Sequence, residues 1–452
     1  MNDCIPDGWK STTLARVAST QLGKTINPKE RGGPNQRPYL RNANVQWDRV
    51  DVADILTMQF SEAEAQRFQL KPGDLLTCEG GIVGRSAIWN GDIAGCCFQN
   101  AIHRIRPLDE EVSAEWLLEN IRYLSESGAL AIRARGNTIQ HLSQQELRNL
   151  PVVFPTRQEQ DAIINVLNGT RSIRLSTSSH LEAARLATKR FRQAVLAAAC
   201  YGRLTEDWRE TRTEHTSAPE ILSELRSKKR VRINREEAVS LAIAELPETY
   251  IVSTLGECAL VLEYGTSKRC VADPSIGIPV LRMGNIQDGR VDLGDLKYCA
   301  VDDEIDRLML KSGDLLFNRT NSPELVGKSA IYESDMPASF ASYLIRVRFD
   351  DRAVLPEFVN YWLNSAWGHE WARLAKTDGV SQSNINGSKL ALMPIPLPPI
   401  EEQLVIVERA SRMLISSESL LVRIGLASKV MERSSLAVLA KAFQGQLIGV
   451  SE

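Results

Sequence analysis

The chain has 452 residues and is poor in the residues that usually mark catalytic or metal chemistry. Its eight cysteines (Cys4, Cys78, Cys96, Cys97, Cys200, Cys258, Cys270, Cys299) form no C-x-x-C pair and have no histidine at zinc-ligand spacing, so free thiols are expected and no metal site. The five histidines (His103, His141, His180, His215, His369) make no pair at ligand or triad spacing, which leaves each as a packing or surface residue. There is no G-x-S-x-G and no H-E-x-x-H. An Asn/Asp-Pro-Pro-aromatic tetrapeptide of the kind amino-methyltransferases use is also missing, since Leu397-Pro-Pro-Ile400 lacks both ends. No apolar run approaches the roughly 18 residues of a membrane span, and MNDCIPDGWK has no leader pattern, so a cytoplasmic protein is expected. Charge of one sign is also lacking. Lys plus Arg 54 against Asp plus Glu 56 gives a net charge of -2, so any polyanion binding must be local. With 43% apolar and 24% charged residues, the composition excludes wholesale disorder, and the length suits several modules rather than one core.

Two partial motifs fail on inspection. Val326-Gly-Lys-Ser329 resembles the end of a phosphate-binding loop, but the glycine needed five positions before the Gly-Lys pair is Ser322. The matching Gly84-Arg85-Ser86 has Glu79 there, so a structural turn is expected in both places. Scattered Asp and Glu repeat no acidic pair with a following lysine of nuclease type. No catalytic residue is assigned, and the chain looks like a binder.

What the chain does contain is itself, twice. Trp9 with Leu14 recurs as Tyr250 with Leu255, and Arg41-Asn-Ala-Asn-Val45 as Arg282-Met-Gly-Asn-Ile286. Gly73-Asp-Leu-Leu76 returns as Gly313-Asp-Leu-Leu316, and Val83-Gly-Arg-Ser-Ala-Ile-Trp89 as Val326-Gly-Lys-Ser-Ala-Ile-Tyr332. Arg104-Ile-Arg106 matches Arg346-Val-Arg348, Glu159-Gln160 matches Glu402-Gln403, and Ala194-Val-Leu196 with Gly202 matches Ala437-Val-Leu439 with Gly445. Ordered matches at a nearly constant offset identify a tandem duplication.

Each half opens with short alternating runs broken by Gly, Pro and Asn, which predict a strand-rich domain with some helix. A proline-bearing boundary follows, Pro151-Val-Val-Phe-Pro155 or Met393-Pro-Ile-Pro-Leu-Pro-Pro399, and then a long helical pattern. In the distal helix Ile406, Ala410, Met413, Ser417, Leu420, Ile424, Ala427 and Met431 recur at spacings of four and three, with Val438 and Ala442 resuming after one slip. The central helix gives a weaker seam at Ile163, Val166, Ile173, Ala184, Phe191, Val195 and Ala198, and Gly169 and Gly425 are candidate breaks. The expected fold is α+β: two mixed α/β domains at 1–154 and 248–398, helical regions at 155–203 and 399–452, and a charge-mixed, solvated connector at 204–247.

Cationic and amide residues cluster in matched loops. Residues 22–49 hold Lys24, Lys29, Arg31, Arg37, Arg41 and Arg49 against two acids, around Gly32-Gly33-Pro34-Asn35, and 264–290 hold Lys268, Arg269, Arg282 and Arg290 against two. Polar loops precede each proline boundary, Arg133-Ala-Arg135-Gly-Asn137-Thr-Ile-Gln140 and Gly379-Val-Ser-Gln382-Ser383-Asn384-Ile385. Arginine can bridge guanine O6 and N7, and Asn or Gln can bridge adenine N6 and N7. Lys24, Lys29, Arg31, Asn35, Arg37, Arg41, Arg133, Arg135, Asn137 and Gln140 are therefore the DNA-contact candidates of the first half. Those of the second are Lys268, Arg269, Arg282, Asn285, Arg319, Gln382, Ser383 and Asn384.

Taken together, Gly8-Trp9 with Leu14, the Gly-Asp-Leu-Leu elements with Val-Gly-Arg/Lys-Ser-Ala-Ile, Ile395-Pro-Leu-Pro-Pro-Ile-Glu-Glu-Gln403 and Phe443-Gln-Gly-Gln-Leu447 resemble the specificity subunits of type I restriction-modification systems over essentially the whole chain. The resemblance implies two target recognition domains reading a bipartite, asymmetric double-stranded DNA sequence, separated by two antiparallel helices in a coiled coil with pseudo-twofold symmetry. It implies a non-catalytic chain without a cofactor of its own, which docks two methyltransferase subunits that use S-adenosylmethionine on adenine N6. Restriction subunits that use ATP and Mg join through the complex. Phe154-Pro155-Thr156-Arg157 departs from the family pattern, which has a Pro-Pro pair. The alternatives are a DNA methyltransferase or nuclease with a diverged active site, and a coiled-coil scaffold that never touches DNA.

Overall fold

The computed structural model describes residues 5–25, 34–133, 141–211, 220, 223, 241–243, 245–380 and 382–447. Most of the connector expected at 204–247 lies outside the described residues. Contacts divide the chain into two units, Met1–Glu182 with Gly425–Glu452, and Ala183–Ile424. Each unit contains one reader domain and a stretch of each of two long helices, Arg157–Cys200 and Ile400–Phe443.

In the first unit, Lys10–Thr13 pairs antiparallel with Pro151–Phe154, bringing the two ends of the reader domain side by side. An antiparallel sheet follows in the order Ala18–Leu22, Ile102–Pro107, Leu75–Cys78, Ser86–Ile88. The second unit pairs Ile251–Thr254 with Pro394–Leu397 and repeats the sheet as Ala259–Tyr264, Leu344–Phe349, Asp314–Asn318, Ser329–Tyr332. The register repeats as well: Leu76 faces Ala87, and Leu316 faces Ala330. One face of each sheet is covered by a helix whose apolar stripe supplies the core. Trp116 and Ile121 of Ala114–Glu126 pack with Leu75 and Ile105, and Val359 and Trp362 of Pro356–Leu363 pack with Leu315 and Val347. Each buried indole N–H needs an acceptor and finds the same one: Trp116 donates to the Val153 carbonyl at 3.0 Å and Trp362 to that of Pro394 at 2.8 Å.

The repeated motifs are the bonded joints of this frame. In Gly-Asp-Leu-Leu the glycines take φ of +89° and +90°, a turn that other residues resist. The following aspartate is buried and receives a two-pronged guanidinium from the last arginine of the matched Arg-x-Arg. Arg106 Nη2 lies 2.7 Å from Asp74, and Arg348 Nη2 lies 2.8 Å from Asp314. In Val-Gly-Arg/Lys-Ser, Gly84 and Gly327 also have positive φ, and an added Cβ would lie 2.5 Å from Leu130 or 2.6 Å from Ala372. These are structural turns packed beneath a helix. Gln160 and Gln403, both fully buried, staple the start of each long helix. Gln160 accepts from Ser113 N at 3.1 Å and donates to the Glu111 carbonyl, while Gln403 accepts from Leu355 N at 2.8 Å and donates to that of Ala353.

The long helices run unbroken through Gly169 and Gly425 and end at Gly202 and Gly445, whose φ of +71° and +69° suit left-handed C-terminal caps. Within the first unit, Ile163 and Leu167 share a core with Leu439 and Phe443, and Arg174 donates to Ser435 at 2.9 Å, so residue numbers rise on one helix as they fall on the other. Within the second, Val195, Leu196 and Ala199 pack on Ile406, Ala410 and Leu414. Ile163, Val195, Ile406 and Ile424 are buried, and Met431 and Val438 are half-buried. The seam is corrected at Val166, Ile173, Phe191, Met413, Leu420 and Ala427, which are exposed. On the distal helix the covered positions include 410, 414, 417, 421, 424, 428, 431, 435, 438 and 442, which follow a four-three alternation with no slip. Ser428 and Ser435 occupy covered positions, so a reading by apolar residues moved one place to Met413, Leu420 and Ala427. On the central helix the covered middle positions include Arg171, Arg174, Thr188 and Arg192 beside Leu181 and the predicted Ala184, so polar residues obscure much of the seam.

Candidate nucleic-acid interface

Several predicted contact residues are committed to the fold. Arg41 and Arg282 each open a one-turn 3-10 helix, Asn42–Asn44 and Met283–Asn285, whose last residue caps the arginine's own backbone. Arg41 N donates to Asn44 Oδ1 and Arg282 N to Asn285 Oδ1, both at 2.8 Å. The asparagine then donates onward to two carbonyls, Asp51 and Asp54 from Asn44, Asp292 and Asp295 from Asn285. Each guanidinium closes the same loop, Arg41 on the Asp54 carbonyl at 2.9 Å and carboxylate, Arg282 on Asp295 at 3.1 Å. These residues recur because they hold a loop, and Asn285, buried like Asn44, has no face to offer a base. Lys24 is likewise buried, with Nζ 2.9 Å from both Glu64 and the Gln59 carbonyl. Lys268 pairs with Asp302 and Glu304, which hold its ammonium above the ordinary lysine range, first through the hydrogen bond to Asp302. Ser383 is buried and donates to Asp378.

The remaining candidates are available at the surface. Asn35 is exposed at a φ of +56°, and Arg37 is half-exposed on the strand Gln36–Leu40. In the second unit Arg269 and Gln382 are exposed. Among the described residues, the guanidinium of neither Arg37 nor Arg269 makes a hydrogen bond or ion pair. Lys29, Arg31, Arg135, Asn137 and Gln140 lie outside the described residues, and Arg133 ends the helix Ala129–Arg133.

One cluster joins segments far apart in sequence. Arg319 lies over the Tyr264 ring at 4.8 Å and donates to Asn384 Oδ1 at 3.0 Å, while Asn384 donates to Thr320 at 2.8 Å. The basic stretch beginning at Tyr264 and the polar loop at 379–385 thus meet at one place. Tyr264 was missed in the sequence; its exposed ring beside a cation is the signal that structure supplies. Guanidinium, amide and aromatic faces together present donors for phosphate or base edges and a surface for stacking.

Among the described residues no group of three or more His, Cys, Asp or Glu is placed to hold a metal, and no helix is long and apolar enough to cross a membrane.

Residues 6–177 match the family of type I restriction modification DNA specificity domains. Over 98% of its length the chain is 24% identical to the EcoKI specificity subunit of Escherichia coli K12, covering 90% of that protein, and 27% identical to the Escherichia coli EcoBI specificity subunit, covering 87%. The chain is similar to type I specificity subunits over nearly its whole length. Its fold is similar to that of two solved chains. A chain from a solved type I R-M system, 16% identical, aligns with a TM-score of 0.69 over 98% of this chain and 100% of that one. The HsdS subunit of Thermoanaerobacter tengcongensis, 17% identical, aligns at 0.53 over 98% of both.

Proposed function

We propose that this chain is the non-catalytic sequence-specificity subunit of a type I restriction-modification complex, in which each reader domain recognises one half of a bipartite, asymmetric DNA target. One observation carries the reading. The same bonded frame is built twice, while the polar residues placed on it differ, as expected for one scaffold reading two sequences. Direct contacts are made by Arg37 and Asn35 in the first reader and by Arg269, Gln382 and the Arg319, Asn384 and Tyr264 cluster in the second. Lys29, Arg31, Arg133, Arg135, Asn137 and Gln140 complete the first reader.

The partners are double-stranded DNA, two methyltransferase subunits and, through the complex, restriction subunits. Leu404, Ile415 and Val422 on the second unit's part of the distal helix, and Leu426 and Val430 on the first unit's, are exposed apolar side chains that suit packing against partner helices. S-adenosylmethionine belongs to the methyltransferase subunits, and ATP and Mg to the restriction subunits.

The test is methylation by the reconstituted complex with Arg269→Glu and Arg282→Ala chains. Arg269→Glu should weaken DNA binding and lower the salt slope by about 1, with the melting temperature unchanged. Arg282→Ala should lower the melting temperature. Methyl transfer by the purified chain alone, without partner subunits, would overturn the non-catalytic reading.

A further inference from the structure

We infer that Cys270 and Cys299 are a modification site: a dithiol that a low-molecular-weight disulfide closes into a cross-strand bond within the second reader. The register carries the argument. Val271 and Tyr298 form an antiparallel bridge and exchange both backbone bonds, Val271 N to the Tyr298 carbonyl at 3.0 Å and Tyr298 N to that of Val271 at 2.7 Å. One step outward, 270 stands opposite 299 as a pair that exchanges no backbone bonds. Such pairs have the closer spacing, with Cα atoms about 4.5 Å apart, within the range of roughly 4.4–6.8 Å that a disulfide spans. Both side chains belong to one small apolar cluster with Val280, Ile305 and Ala341.

The other described thiols lack this placement. Cys96 and Cys97 are chain neighbours, so their Cα atoms are about 3.8 Å apart, below the disulfide range. Cys78 faces Ile102 in its sheet, and Cys200 and Cys258 end the helices Arg157–Cys200 and Leu255–Cys258. At an offset of 241 residues, the first half has Lys29 and Met58 where the second has Cys270 and Cys299, so the pair is peculiar to the second reader.

Cys270 is the more exposed of the two and attacks first. Its thiolate displaces one sulfur of the oxidant RSSR, giving a mixed disulfide and one RS⁻. The Cys299 thiolate then attacks Cys270 Sγ, forming the Sγ–Sγ bond and releasing the second RS⁻. The two cysteine thiols are oxidised, RSSR is reduced to two RSH, and the two thiol protons pass to the leaving thiolates. Burial, with the Cys299 thiol beside it, pushes the Cys270 thiol up to about 11, so closure is slow near neutral pH and faster in mild alkali.

The experiment treats the full chain with glutathione disulfide, alkylates the remaining thiols under denaturing conditions and maps peptides by mass spectrometry. The expected result is a loss of two alkylatable thiols from the eight and a peptide joining Cys270 to Cys299, both reversed by dithiothreitol. Cys299→Ser should stop the reaction at a mixed disulfide on Cys270, the outcome that separates paired chemistry from an isolated reactive thiol. Retention of all eight thiols, or a link to any other cysteine or to a second chain, would overturn the inference; the wild-type map alone decides this even if the variant misfolds.

Discussion

Arg41 and Arg282 stand at the same place in the two halves and make the same bonds, and that sameness separates frame from reader. A residue that reads sequence should differ between domains with different targets, whereas one that closes a loop should not. Asp74 and Asp314 belong to the same class. Asp314→Ala removes the buried carboxylate from the half-buried Arg348 and leaves the buried Arg346 with Glu263 alone, and should cost about 3 kcal/mol, read as a shifted denaturant midpoint. His103 offers a pH test. It is fully buried, with Nε2 donating to the Leu142 carbonyl at 2.9 Å, and burial holds its imidazole below the ordinary range. An unfolded histidine takes up a proton near pH 6.5, while the folded one does so only at lower pH. Stability is therefore full above about 6.5 and falls below it, by at most about 1.4 kcal/mol per pH unit until the folded group also titrates. Melts between pH 7.5 and 5.5 should show this slope flattened in His103→Gln.

The long helices show how an element can be legible in existence and wrong in phase. Their ends were marked by proline boundaries and paired glycines, but the covered stripe includes Ser428, Ser435, Arg171 and Arg174, which no apolar count would place there. Leu414→Ala should cost about 3 kcal/mol, and Met413→Ala, one position earlier, less than about 0.5 kcal/mol. Equal costs in urea unfolding would restore the original phase. The turns are the converse case. Gly84 and Gly327 were legible as structural from the failure of both copies to carry a phosphate-loop glycine. Gly327→Ala should destabilise the second reader, through both its φ of +95° and the 2.6 Å approach to Ala372.

At the scale of the whole molecule, the central helix is one element through residues 170–190. Inserting about one helical turn of four residues there, roughly 6 Å, should lengthen the unread spacer of the methylated sequence and leave both half-sites intact, as methylation-aware sequencing would reveal. An unchanged motif would contradict a helical ruler. The net charge of -2 is no obstacle to DNA binding, because exposed cations such as Arg269 stand in loops where the local charge is positive.

The duplication, the α+β domains, the two long helices and the likeness to type I specificity subunits are legible along the chain, because a repeated frame leaves matched residues at a fixed offset. Which of the cations are bonded to the frame emerges only on folding. Lys24, Arg41, Lys268 and Arg282 read as a basic patch along the chain, yet their carboxylate partners Glu64, Asp54, Asp302 and Asp295 lie 13 to 40 residues away. Folding brings those opposite charges together, and the cations it leaves without such partners are the ones free to meet a phosphate.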